Sequence, residues 1–180
     1  MTRDDSLDTK FHGLLRDQIR DEFTAAQQYV AIAVHFDGAD LPQLAKFFYR
    51  QAAEERNHAL MFVRYLLDRG VDVEIPGVDS VRNGFGSARE AVARALELER
   101  DVTDAIVALA AAARDERDYL GEQFMGWFLK EQVEEVAAMT TLLRVTERAG
   151  DNLFDLEDYV ARELAAGSAD PAAPPVAGAL

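Results

Sequence analysis

Four glutamates occupy positions where the helical pattern of the sequence calls for apolar side chains. Apolar residues recur every three or four positions in four long segments, as they do in amphipathic helices with one buried face. Each of the four stripes contains one glutamate, and these are Glu22, Glu55, Glu99 and Glu135. His58 follows Glu55 by three residues, so the two side chains share a helix face. The sequence therefore predicts four carboxylates and one imidazole inside a helical core.

Four buried carboxylates require compensating positive charge, because taking each ion out of water costs several kcal/mol. The stripes carry no Lys or Arg at this level, and the neighbouring Gln, Tyr and His side chains cannot balance four negative charges. Two divalent cations can balance them, with His58 as a neutral nitrogen ligand. A ligand set rich in oxygen favours Fe²⁺ or Mn²⁺ over Zn²⁺, which prefers nitrogen and sulfur ligands. The alternative is a structural polar layer whose carboxyls are protonated or paired with Arg.

The elements that must position these groups are four long helices followed by a short fifth helix. Glycine, proline and capping residues set the helix ends. The sequence predicts helix A over about residues 9–37, helix B over 42–70 and a short fifth helix over 151–165. Between them, helix C begins at residue 87 and helix D ends at residue 150. No Gly or Pro separates C from D, but one helix over 87–149 would be about 95 Å long, which is too long for one domain. We therefore expect a break near 115–118 and an all-α bundle.

Residues 71–86 have no helical period and predict an extended crossover between helices B and C. About 16 extended residues reach roughly 50 Å, which is enough to span the bundle and lets B and C run parallel. The hairpins A–B and C–D are antiparallel, so equal distances from their turns place side chains at equal heights. Glu22 and Glu55 then form one layer, Glu99 and Glu135 form another, and the crossover can stack the two into one.

The order of these motifs resembles the di-iron centre of prokaryotic non-haem ferritins. The residues that carry the resemblance are Glu22 and Tyr29 on helix A, Glu54-Glu55-Arg56-Asn57-His58 on helix B, Glu99 on helix C and Glu131-Gln132-Val133-Glu134-Glu135 on helix D. The resemblance covers roughly residues 10–165 and includes the long B–C crossover and the short fifth helix. It implies a ferritin-like four-helix bundle over residues 1–166. The composition of residues 167–180, which is rich in Ala, Pro and Gly, predicts a flexible tail.

By motif position, the resemblance implies three iron sites. The first site consists of Glu22, Glu55 and His58. The second consists of Glu55, Glu99 and Glu135, with Gln132 nearby, so Glu55 bridges the first two sites. The outer site consists of Glu54, Glu131 and Glu134. The alternative for the outer three is a solvated acidic edge. Tyr29 resembles the tyrosine beside the site in this family, although a buried tyrosine needs a hydroxyl partner in any case. Trp127 lies one residue off the stripe, and we interpret it as packing.

The resemblance implies iron storage and detoxification. Fe(II) would be oxidised to Fe(III) by O₂ or H₂O₂ at the two-iron centre and stored as a mineral inside a homo-oligomeric shell of 24 subunits. Haem is not expected, because Arg56 stands where bacterioferritins have a haem-binding Met directly after the bridging glutamate. Gln132 and Glu135 replace a second Glu-x-x-His pattern, so the second site lacks an imidazole and is expected to hold iron more loosely.

Two other functions are compatible with buried carboxylates. A di-iron oxidase acting on an organic substrate needs a cavity beside the metals, whereas the stripes next to this site contain bulky side chains, among them Phe48, Phe62 and Phe128. A purely structural bundle would keep its carboxyls protonated and bind no metal. Binding of Fe²⁺ followed by retention of the oxidised iron distinguishes storage from both of these functions.

Composition excludes several other classes of protein. The chain has 33 Asp and Glu against 19 Lys and Arg, and a net charge of −14, which argues against binding to nucleic acids or anionic membranes. The absence of Cys excludes disulfides, thiolate metal sites and iron–sulfur clusters. The acidic N-terminus has no apolar signal-peptide region, and the longest apolar run, Ala105–Ala113, is too short to span a membrane. We therefore expect a cytoplasmic protein.

Two remaining segments have alternative interpretations. The acidic C–D turn is a candidate for concentrating cations at an uptake channel, and its carboxylates are Asp115, Glu116, Asp118 and Glu122. The alternative is that these side chains are ordinary charges at a helix N-terminus. The apolar end of the tail, 174–180, could dock a partner or an encapsulating shell, and the alternative is disorder without function.

Overall fold

The computed structural model describes residues 9–164 and 170–178 of the chain. Within these residues there are no strands, and the five helices are α1 (Lys10–Asp37), α2 (Pro42–Asp68), α3 (Ala88–Asp115), α4 (Tyr119–Ala149) and α5 (Leu153–Glu163). Helix α1 packs along α2, α3 packs along α4, and α1 also contacts α3. The predicted all-α bundle is confirmed. No helix in the described part of the chain is long and apolar enough to cross a membrane.

The crossover between α2 and α3 is fixed along the surface of α1. The side-chain amide of Gln28 donates to the Arg82 carbonyl at 2.8 Å and accepts from the Arg82 N–H at 2.9 Å. One turn earlier on α1, the Thr24 hydroxyl accepts from the Asp79 N–H at 3.1 Å. Residue numbers rise together along both segments, so the crossover runs parallel to α1. Helix α3 therefore begins beside the end of α1 and runs in the same direction as α2.

The break between α3 and α4 lies where the sequence predicts it. Helix α3 ends at Asp115, and Arg117 adopts a left-handed conformation with φ of 58°. Asp118 then caps α4, because its carboxylate accepts from the Gly121 N–H at 3.0 Å. A single residue of positive φ followed by a capping Asp is enough to end one helix and begin the next.

Three of the four carboxylates in this turn have structural partners. Both oxygens of Glu116 accept from the Phe11 N–H at 3.3 Å, and so cap the first turn of α1. Asp118 also lies 3.6 Å from Arg69, and Glu122 pairs with Arg114 at 2.6 Å. These contacts support the interpretation of the turn as a set of helix-end charges, while a role in cation uptake stays a prediction.

Helix α5 is attached to the bundle through the N-terminus of α2. The residue before α2 is Leu41, whose side chain cannot accept a hydrogen bond. The Glu157 carboxylate of α5 supplies the cap instead, accepting from the N–H groups of Gln43 and Leu44 at 2.8 Å each. An anionic carboxylate is favourable at the positive end of a helix dipole. Residues 114 positions apart in the sequence therefore fix the relative position of α5 and α2.

The apolar core consists of two clusters separated along the bundle axis. The first cluster includes Phe36, Leu44 and Leu142, and the second includes Phe62 and Met125. On every long helix, the glutamate identified from the sequence lies between residues of the first cluster and residues of the second. We call this intervening level the polar layer; its residues are Glu22, Glu55, His58, Glu99, Gln132 and Glu135.

The described part of the tail lies against the bundle. Asp170 accepts a hydrogen bond from the Trp127 indole N–H at 3.1 Å, and the Ala177 N–H donates to the Leu60 carbonyl at 3.2 Å. Ala173 and Val176 pack against the second apolar cluster. Small apolar side chains and one carboxylate of residues 170–178 thus contact α2 and α4, while the flexibility of the tail stays a prediction. Residues 165–169, 179 and 180, and the N-terminal residues 1–8, lie outside the described part of the chain.

Replacement of Asp170 tests this attachment of the tail. Trp127 is the only Trp in the chain, so the tryptophan fluorescence comes entirely from the side chain that contacts Asp170. We expect Asp170→Ala to increase acrylamide quenching of Trp127, because the indole N–H loses its acceptor and the tail leaves the indole. Asp170→Asn keeps an acceptor and should behave more like the original protein. Asp104→Ala, an exposed Asp on α3, is the control. Equal quenching in all four proteins would contradict the prediction.

Candidate metal centre

The polar layer is closed to solvent on three of its four helices. The relative exposures are 1% for Glu22, 2% for Glu55, 6% for His58, 1% for Glu99 and 5% for Gln132. Glu135 on α4 is half-buried. The structure thus places all four stripe glutamates at one level, as their distances from the helix turns predict.

Glu22, Glu55 and His58 form a compact set of potential ligands. Each offers one ligand atom, and these atoms all lie within 4.8 Å of one another. His58 Nδ1 lies 3.3 Å from Glu55 Oε2. Glu22 Oε1 accepts from the Gln18 amide at 2.9 Å, whereas the buried Glu22 Oε2 has no hydrogen-bond partner. A buried carboxylate oxygen without a partner beside two other ligands fits a divalent cation.

Glu99 is held by hydrogen bonds from two neighbouring side chains. The Tyr29 hydroxyl donates a short hydrogen bond to Glu99 Oε1. The Gln132 amide donates to Glu99 Oε2 at 3.2 Å and to the Thr103 hydroxyl at the same distance. In the described residues, the close ligand set consists of Glu22, Glu55 and His58 alone. The candidate second site is therefore less compact than the first.

Burial raises the pKa of every carboxyl group in the polar layer. Loss of hydration is the largest cause for all four glutamates, and it raises the pKa of Glu22 and Glu55 well above the usual range. The negative charges of Glu99 and Glu135 raise the pKa of Glu55 further. The pKa of Glu135 rises to about 9, again through lost hydration and then through repulsion from Glu99. Cations that bind here must therefore displace protons.

The three outer glutamates lie beside Glu135 at the surface. Glu54, Glu131 and Glu134 line a depression of about 270 Å³, together with Glu135, Gln51 and Glu163 of α5. Partial burial raises the pKa of Glu54 and Glu131. Glu134 is exposed and lies 3.5 Å from Lys130. The structure thus brings the predicted outer residues together in one concave surface, with Glu134 at its rim.

Aromatic side chains fill the space beside His58. The His58 ring lies 5.7 Å from both the Trp127 ring and the Phe128 ring, each edge to face. Phe128 stacks on Phe62 with 4.4 Å between ring centres. On the other side of the layer, Tyr29 stacks on Phe48 at 5.9 Å. These rings fill the space beside His58 and beside Tyr29 on the two sides of the polar layer.

Three polar residues around the glutamates were not predicted as part of the site. Gln18 donates to Glu22, Gln51 donates to Glu54 at 2.5 Å, and the Thr103 hydroxyl donates to the Glu99 carbonyl at 2.7 Å. Each belongs to a helical stripe, one turn from a glutamate. A polar residue at a core position next to a stripe glutamate is the signal in the sequence that could have identified them.

The five-helix fold and its polar layer define a known class of protein. A family model described as the ferritin-like domain matches residues 13–149, and the chain belongs to the ferritin family of iron-storage proteins. It is 68% identical over 178 residues to ferritin BfrB of Mycolicibacterium smegmatis, which covers 99% of this chain and 98% of the relative. Its identity to ferritin BfrB of Mycobacterium tuberculosis is 64% over 178 residues, with the same coverage of each chain.

A solved structure supports the same assignment. The chain is similar to an open-pore ferritin from the archaeon Archaeoglobus fulgidus, with a TM-score of 0.83 and 27% sequence identity. The match covers 87% of this chain and 98% of that ferritin. The similarity therefore includes nearly the whole helical bundle of the archaeal protein.

Proposed function

We propose that this chain oxidises Fe²⁺ to Fe³⁺ at a two-iron centre in the polar layer and stores the product inside a shell of 24 copies. The observation that carries the proposal is the buried set of Glu22, Glu55 and His58, with one carboxylate oxygen left without a partner. Membership of the ferritin family supports iron as the cation. We also propose a cytoplasmic location, which the acidic sequence without Cys supports.

The residues of the polar layer bind and orient two Fe²⁺ ions as substrate. Glu22, Glu55 and His58 would hold the first ion. Glu99 and Glu135 would hold the second, with Glu55 shared between the two. Each ion gives up one electron, and the pair supplies the two electrons that reduce O₂ to H₂O₂ or H₂O₂ to water. The carboxylates balance the charge of the ions once their own protons have left.

Tyr29 and Gln132 act on the second site through Glu99. Both donate hydrogen bonds to this carboxylate, one to each oxygen. Donors on both oxygens fix the plane of a carboxylate and so direct its remaining lone pairs. With an amide in place of an imidazole, this site binds the ion through oxygen ligands from Glu55, Glu99 and Glu135. We propose that this weaker set lets Fe³⁺ leave toward the outer residues Glu54, Glu131 and Glu134.

An anaerobic titration of the metal-free protein with Fe²⁺ tests this function. We expect saturation near two ions per chain, rapid oxidation when O₂ or H₂O₂ is added, and retention of the product by particles of high mass. A di-iron oxidase of organic substrates would bind two ions but retain no large iron store. A structural bundle would bind none. Particle mass and iron content after oxidation distinguish the three outcomes.

Haem is not part of the proposal. Arg56 follows the candidate bridging glutamate, and its side chain is exposed on α2. A guanidinium cannot serve as the thioether ligand that a Met would supply. The visible absorption spectrum of the purified protein gives a direct check on this part of the proposal.

A further inference from the structure

Gln51 lies between the candidate second iron site and the outer glutamates. Its side chain is 4% exposed, and its amide nitrogen donates to Glu54 Oε2 at 2.5 Å and to Glu135 Oε2 at 3.4 Å. An amide NH₂ group has two hydrogens, so one side chain can serve both acceptors. Gln51 and both carboxylates line the same surface depression. One amide therefore links a predicted ligand of the second site to a predicted ligand of the outer site.

The amide joins two different helices. Gln51 and Glu54 are three residues apart on α2, so they lie on the same face of that helix, whereas Glu135 belongs to α4. Glu54 is otherwise an exposed side chain with many accessible rotamers. The hydrogen bond to a buried amide restricts this freedom and directs the Glu54 carboxylate toward Glu135. The two carboxylates are thereby placed near each other before any cation binds.

A neutral donor suits this position better than a charged one. Glu54 and Glu135 both contact the same amide, so their negative charges repel each other when both carboxyls are ionised. A Lys or Arg would relieve the repulsion but would compete with an incoming cation for both carboxylates. The Gln51 amide holds the pair together and leaves their charge available for a metal ion.

We propose that Gln51 is a positioning residue that holds Glu54 and Glu135 as a shared pair of ligands, through which iron passes from the second site to the outer site. The cation is a hard, oxygen-preferring metal ion. This inference rests on the proposed function, since it assumes that iron occupies the second site first. Gln51 itself need not contact the iron. Its effect is expected to be largest at the outer site, because the Gln51 amide lies 2.5 Å from Glu54 and 3.4 Å from Glu135.

Anaerobic calorimetry with Co²⁺ on the metal-free assembled protein tests this role. The original chain is expected to bind two Co²⁺ per chain tightly and a third more weakly. In Gln51→Leu, which keeps the volume but removes both donors, the affinity for the third ion should fall by about tenfold or more, as for other residues that orient metal ligands. The affinity for the first ion, which Glu22, Glu55 and His58 would hold, should stay within about threefold of the original value, and the affinity for the second ion should fall less than that for the third. Gln27→Leu, at an exposed position on α1, is the matched control and should match the original chain.

A second readout follows oxidised iron. After two Fe²⁺ per chain are oxidised, a second addition of Fe²⁺ should react more slowly in Gln51→Leu, because the first product leaves the centre more slowly. The first oxidation should slow less than the second. A general structural defect would slow both oxidations to the same degree and lower the thermal midpoint, which would overturn the proposal.

The remaining outcomes separate the inference from the proposed function. Loss of all three affinities to the same degree, or an unchanged third affinity in Gln51→Leu, overturns the positioning role. Binding of only two ions by the original chain also overturns it, while leaving the two-iron function intact. Failure of the original chain to bind any Co²⁺ or Fe²⁺ overturns the proposed function itself.

Discussion

Replacement of Glu55 by Gln is expected to abolish rapid Fe²⁺ oxidation and to stabilise the metal-free protein. Glu55 lies 3.3 Å from His58 and belongs to the compact ligand set with Glu22. It is also the group proposed to be shared by both ions. Loss of its negative charge therefore weakens both sites, and we expect the initial rate to fall by about 100-fold or more, beyond the usual effect of residues that only orient ligands.

The gain in stability has a separate cause. Burial raises the pKa of Glu55 well above its usual range, so the folded metal-free protein must keep this carboxyl protonated or bury a charge. A neutral amide of the same shape avoids both costs. Stopped-flow absorbance of Fe³⁺ measures the rate, and urea unfolding of the metal-free protein measures stability. Glu97→Gln, at an exposed position on α3, is the control for both. Rapid oxidation by Glu55→Gln would contradict the assignment of this residue.

The metal-free protein is expected to lose stability as the pH rises from about 4.5 toward 9. The folded protein holds protons on Glu135 up to a pKa of about 9, compared with 4.5 for an exposed glutamate. Between these values the folded state binds more protons than the unfolded state, so the free energy of unfolding falls with rising pH. At pH 7 the loss for Glu135 alone is about 3 kcal/mol, at roughly 1.4 kcal/mol per pH unit. Glu22, Glu55 and Glu99 act in the same direction.

Urea unfolding of the metal-free protein across this pH range measures the effect. Stability should be greatest at the acidic end, and saturating Fe²⁺ under anaerobic conditions should reduce or reverse the slope, because metal binding requires deprotonated carboxylates. A variant with Gln in place of Glu22, Glu55, Glu99 and Glu135 lacks the carboxyl groups whose pKa is raised. Its free energy of unfolding should therefore depend little on pH. Stability that rises with pH in the metal-free protein would contradict the prediction.

The sequence predicts features that repeat along a helix or depend on chain length. Apolar stripes locate the helices, and the single glutamate in each stripe identifies Glu22, Glu55, Glu99 and Glu135. The break before α4 follows from the length that an unbroken helix would have, although neither Gly nor Pro marks it. These features depend on local periodicity, which a single sequence contains in full.

Contacts between distant segments could not be predicted in this way. The cap that Glu157 provides for α2 joins residues 114 positions apart that share no local sequence pattern. The tail near Asp170 has the composition of a disordered segment, and its contact with Trp127 depends on how α4 is oriented. Gln51 stands in a predicted stripe, but its link to Glu135 requires α2 and α4 to be placed beside each other. All three depend on tertiary neighbours that periodicity does not specify.

The division of the apolar core by the polar layer has a consequence for how the protein opens. Each half of the bundle has its own hydrophobic cluster, and the polar layer lies at the level between the two clusters. Ions bound there would tie all four long helices together at their midpoints. Binding of iron in the polar layer would then make the two halves of the subunit unfold together. Amide hydrogen exchange near the middle of each long helix would be slower in a subunit with bound iron than in a metal-free subunit.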